Sequence, residues 1–70
     1  MIRESVRSSM ITSVGYDTQT GVLEIEFRNG RTYRYFEVPE FLYRGFVVAA
    51  SKGQYFARRI DSRFRFEEVQ

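Results

Sequence analysis

Residues 27–39 read FRNGRTYRYFEVP, and the register in which they pair with the preceding VLEIEFR (22–28) decides where every ring among them points. VLEIEFR alternates cleanly, with Leu23, Ile25 and Phe27 on one face and Glu24, Glu26 and Arg28 on the other, which predicts a half-buried strand with its glutamates in solvent. A two-residue Asn-Gly turn would set Arg28 opposite Arg31 and place Arg34 among Leu23, Ile25 and Phe27. A three-residue loop, Arg28-Asn29-Gly30 with Gly30 left-handed in a bulge, instead pairs Ile25 with Tyr33, Leu23 with Tyr35 and Glu24 with Arg34. A slip of one residue inverts every side chain, so the bulged register is the expected one. It sends Tyr33 and Tyr35 to the core, with their hydroxyls at the rim where a ligand could meet them. The competing reading, a base-stacking platform of tyrosines interleaved with Arg31 and Arg34, needs the opposite register. The bulged one also leaves Val22 and Phe36 paired on the outer face, a candidate subunit contact.

Upstream, residues 9–16 are rich in β-branched side chains, and DTQTG (17–21) has Asp at the start of a turn and Gly at its end. A four-residue loop pairs Asp17 with Val22 and sets Tyr16, Val14 and Thr12 opposite Leu23, Ile25 and Phe27. Downstream, Pro39 opens a helix with Glu40 in its first turn, and the SKG of 51–53 predicts its end at Gly53. Leu42, Phe46, Ala49 and Ala50 form its apolar stripe, widened by Phe41, Val47 and Val48. Gly45 inside it marks a close approach to the tyrosines. QYFARRI (54–60) predicts a second, shorter helix with Phe56 and Ile60 inward and Arg58 and Arg59 partly outward.

SRFRFEEV (62–69) alternates again, Phe64 and Phe66 on one face and Arg63 and Arg65 on the other, as a terminal edge strand would; a loose tail is the alternative. The expected class is α+β: an antiparallel three-stranded meander, with this segment as a candidate fourth strand, packed against one longer and one shorter helix. Residues 1–8 lack a period and are expected to be a flexible N-terminus, with 9–70 a single domain.

Seventy residues with 43% hydrophobic and 17% aromatic content suffice for one small core, and self-association would add to it. No stretch is apolar enough to span a membrane, and MIRESVRSS lacks the run of a secretory signal, so a cytoplasmic location is expected. Zero Cys and zero His remove the usual nucleophile, general base and soft metal ligands, which argues against an enzyme and against a metal or cofactor.

The net charge of +2 is unevenly placed: residues 52–66 carry Lys52, Arg58, Arg59, Arg63 and Arg65 against Asp61 alone, a local +4. Ten of the eleven basic residues are Arg, whose planar fork grips phosphate in pairs of hydrogen bonds. These five residues are the candidate phosphate-binding set, with Tyr33, Tyr35 and Tyr55 as candidate rim or stacking rings. A solvated face in which the arginines pair with Asp61, Glu67 and Glu68 is the other reading.

The order of features resembles the KTSC domain, a module named after its occurrence at the C-terminus of some lysyl-tRNA synthetases. The resemblance rests on Ser9, Ile11, Val14 to Asp17, Leu23, Ile25, Phe27, Gly30, Tyr33, Tyr35, Val38-Pro39, Tyr43, Ala50-Ser51, Gly53, Tyr55-Phe56 and Ile60. Ala57 departs from it, since the family favours Asn after the Tyr-Phe pair, and SRFRFEEV matches only loosely. The resemblance implies a small non-catalytic binding module, found alone in bacterial and phage-like proteins, with RNA as its proposed ligand. Two other functions stay open on the residues: a homo-oligomer whose interfaces hold a small anionic ligand such as a nucleotide, and a protein-binding adaptor that uses an outer face or a free edge strand.

Overall fold

A computed structural model describes residues 1–69; Gln70, counted in the domain above, lies outside the described residues. The strands are β1 (Arg3–Ser5), β2 (Ile11–Asp17), β3 (Val22–Phe27), β4 (Thr32–Tyr35) and β5 (Phe66–Val69). They form one antiparallel sheet in the order β1-β2-β3-β4-β5, two strands more than the expected meander. The helices α1 (Glu40–Val48) and α2 (Lys52–Arg59) are inserted between β4 and β5 and cover one face. No helix among the described residues is long and apolar enough to cross a membrane.

The bulged register is the one the chain adopts. Ile25 faces Tyr33, Leu23 faces Tyr35 and Glu24 faces Arg34. Gly30 sits at φ 90 and donates its N–H to the Phe27 carbonyl at 3.0 Å, and Phe27 N–H donates to the Arg31 carbonyl at 2.8 Å. The first hairpin also closes as expected: Asp17 pairs with Val22, and its carboxylate accepts from the Gln19 N–H at 2.9 Å. One pairing differs. A bulge between Ile11 and Ser13 puts Ile11, not Thr12, opposite Phe27, and this buries Ile11 fully in place of a hydroxyl.

The N-terminal segment, expected to be loosely ordered, supplies edge strand β1, paired Arg3 to Gly15 and Ser5 to Ser13. Gly15 permits this, since a β-carbon there would lie 2.8 Å from Arg3 Cγ and 3.0 Å from the Ile2 carbonyl oxygen. Arg3 crosses the glycine to reach Glu24 at 3.3 Å, and Arg34 meets the same carboxylate from the other side at 2.8 Å. Glu24 is therefore enclosed between two guanidiniums rather than left in solvent. At the opposite edge, β5 pairs Phe66 with Tyr35 and Glu68 with Tyr33. The alternation begins only at Phe66; Phe64 lies in the preceding turn and packs against the core from there.

Gly53 does not end the first helix. α1 stops at Val48, and Ser51 caps a new helix by accepting from the Gln54 N–H at 3.3 Å, which places Gly53 inside the first turn of α2. Lys52 Nζ donates to the Ala49 carbonyl at 3.0 Å and satisfies the end of α1. A helix laid on a sheet buries one stripe: Phe46 is fully buried, but Phe41 and Val48, on the side turned away from it, are 70% and 80% exposed. The core is completed by Val14, Leu23, Ile25, Val38 and Ile60, with Tyr35 and Phe56 nearly covered.

The close approach at Gly45 is made by Tyr55 of α2 rather than by the sheet tyrosines. The Tyr55 hydroxyl donates to the Leu42 carbonyl at 2.9 Å, and a β-carbon on Gly45 would meet that hydroxyl first and Tyr55 Cζ at 3.0 Å. Gly45→Ala should gain about 1 kcal/mol of helix propensity and lose about 2–3 kcal/mol to overpacking. A net loss of about 1–2 kcal/mol in urea unfolding is expected, smaller when Tyr55→Ala is already present. Equal losses in the two backgrounds would mean that this contact does not set the spacing of the helices.

Candidate nucleic-acid interface

α2 is amphipathic at helical spacing: Phe56 is buried beneath it, Ile60 caps it from inside, and Arg58 and Arg59 stand exposed on its last turn. The chain then reverses through Ser62 at φ 65, and Arg63 returns along the helix end, its Nε donating to the Arg58 carbonyl at 3.0 Å. Arg58, Arg59 and Arg63 thereby line one groove of about 520 Å³, whose apolar wall is Pro39, Phe41 and Leu42 with Phe64 at its end. Tyr55 flanks a second hollow that shares Arg58 and Arg59.

The predicted set of five basic residues is divided by the fold. Arg65 lies on the opposite face of the sheet, its guanidinium 4.9 Å from the centre of the Phe36 ring. Lys52 sits at the joint of the two helices, in a hollow shared with Arg7, Ser9 and Met10. Of the candidate rings, Tyr35 is only 5% exposed, Tyr33 is half-buried, and Tyr55 is engaged with Leu42. Phe41, read above as part of the buried stripe, stands at the groove instead. Its position could have been found from spacing, because Phe41 and Val48 share with Arg44 the side of α1 turned away from Phe46.

Ion pairing divides the basic side chains into two groups. Arg3, Arg31, Arg34 and Arg44 each have a carboxylate within 4.0 Å, and the hydrogen bond to Glu24 raises the Arg34 guanidinium above its usual range. Among the described residues, Arg7, Arg28, Lys52, Arg58, Arg59, Arg63 and Arg65 have no such partner, and of these Arg58, Arg59 and Arg63 line this groove. Glu68 is taken by Arg31, and Asp61 turns away from its basic neighbours. Three unneutralised guanidiniums on one concave surface form an anion-binding arrangement. No three carboxylates among the described residues converge in a way that would hold a metal ion.

Fold and groove together define a small α+β domain with a basic and aromatic concave surface. The chain belongs to the KTSC domain family, whose family model matches residues 7–64. It is 39% identical over 61 residues to a lysine–tRNA ligase of Nostoc punctiforme, a match that covers 87% of this chain and 11% of the ligase. An uncharacterised protein of Stutzerimonas stutzeri is 39% identical over 56 residues, 80% of this chain and 79% of that one. The crystal structure of a KTSC domain protein from Yersinia pestis superposes with a TM-score of 0.97 at 40% identity, covering 99% of this chain and 97% of the other.

Proposed function

We propose that this domain is a non-catalytic module that binds single-stranded RNA in the groove between the start of α1, the end of α2 and the turn that follows. Arg58, Arg59 and Arg63 hold backbone phosphates, and the open ring of Phe41 stacks a base. The observation that carries the reading is the convergence of three arginines without carboxylate partners on one groove beside an exposed aromatic ring. The similarity to a segment of lysine–tRNA ligases makes RNA the natural class of ligand.

The test is a low-salt titration with a mixed-sequence single-stranded RNA, a duplex of the same length and a mononucleotide, run beside a sizing measurement. The single strand should bind a monomer, more tightly than the duplex. Saturation by the mononucleotide alone, and only in an oligomer, would replace this reading with a nucleotide pocket between subunits. No binding at low salt would leave the arginines as a solvated surface.

A further inference from the structure

On the other side of the turn after α2, Phe27, Tyr33, Tyr35, Phe56 and Phe66 line a hollow of about 310 Å³ with Asp61 on its wall and Asn29 at its edge. We infer that this aromatic hollow is a second binding site, for a compact methylated ammonium group. The volume is at the small end for ligand sites, which run from about 300 to 1,000 Å³. The rings stand across one another: the planes of Phe27 and Tyr33 meet at 72°, those of Tyr33 and Phe66 at 71° and those of Tyr35 and Phe56 at 71°. Walls set at right angles enclose a rounded group and not a flat base, which needs parallel faces, and aromatic walls attract a cation wherever a ring face is open to it.

Two further features aim positive charge at the same place. Asp61 is the one acid in a segment with five basic residues, yet no basic group lies within 4.0 Å of it among the described residues. The left-handed Ser62 sends Arg63 to the RNA groove and leaves Asp61 on the aromatic side. Tyr35 is only 5% exposed, and its hydroxyl, which has no protein partner among the described residues, is the part that reaches solvent at the hollow. Burial, then the charge of Asp61, then Tyr33 push that hydroxyl's ionisation up to about 12, so the site keeps a neutral O–H beside a carboxylate. Arg31 at the Tyr33 side is engaged by Glu68, 3.9 Å away.

The experiment compares choline with its uncharged carbon analogue 3,3-dimethylbutan-1-ol, following the ring resonances of Tyr35, Phe56 and Phe66 by NMR. Acetylated trimethyl-lysine amide and guanosine form two further arms. Choline and the trimethyl-lysine amide should shift these rings, the tighter of the two naming the source of the cation, and the carbon analogue should bind about tenfold more weakly. Asp61→Asn changes an exposed side chain with no hydrogen bond, so it should fold normally and bind choline about tenfold more weakly. Equal binding of choline and the carbon analogue, wild-type affinity in Asp61→Asn, or shifts with guanosine alone would each overturn the inference.

Discussion

Tyr35→Ala is expected to leave the domain largely unfolded at room temperature, while Tyr35→Phe folds with near-normal stability. Tyr35 lies opposite Leu23, is 5% exposed, and packs its ring 5.6 Å from Phe56 and 5.7 Å from Phe66, joining the sheet, α2 and β5. Removing a buried aromatic ring costs about 3–5 kcal/mol, which is the whole stability of many domains this small. Tyr33, half-buried, should cost less, roughly 1–3 kcal/mol. The phenylalanine variant keeps the ring and loses only a hydroxyl without a partner among the described residues. It should also flatten part of the alkaline unfolding curve. The folded-state ionisation of Tyr35 is raised from 10.0 to about 12, so its contribution is full below pH 10 and is lost as pH rises toward 12. A well-folded Tyr35→Ala protein would contradict the placement of this ring as the joint of the core.

The second large effect is on binding. Reversal of Arg58 and Arg63 together to Glu should weaken single-stranded RNA binding by at least about 100-fold, from two charge-assisted contacts at about 1.5–3 kcal/mol each. The fold should persist, because both side chains are exposed. A small loss is still expected, about 1 kcal/mol, since Arg58→Glu sets a carboxylate at the negative end of α2 and Arg63→Glu removes the bond to the residue 58 carbonyl. Three phosphate contacts predict a log-log salt slope of about −2 for the wild type, from about −0.7 per phosphate on single strands. An unchanged affinity in the double variant would place the RNA elsewhere.

The parts of this fold that could be read from the sequence are those whose cause is local. The alternation of Leu23, Ile25 and Phe27, the Asx turn at Asp17 and the left-handed Gly30 each act within a few residues, and together they select the register. What escaped depends on distant partners. β1 is three exposed residues without a period, and it is held by a glycine twelve positions away and by glutamates of β3. The break between the helices did have a local sign, Ser51 three residues before Gln54, a spacing that opens helices and competes with the SKG ending. The basic cluster was visible as charge density along the chain, but density does not say which face a residue reaches. A left-handed Ser62 and the late start of β5 put Arg63 in the groove and Arg65 behind the sheet.

The measurement that tests the proposed RNA-binding role of the groove most directly is an amide chemical-shift map of the wild-type domain titrated with a short single-stranded RNA at low salt. The shifts should concentrate at Phe41, Leu42, Arg58, Arg59, Arg63 and Phe64, and leave the Arg3 and Arg34 face of the sheet unmoved. Shifts confined to that outer face, or around Arg65 and Phe36, would contradict it.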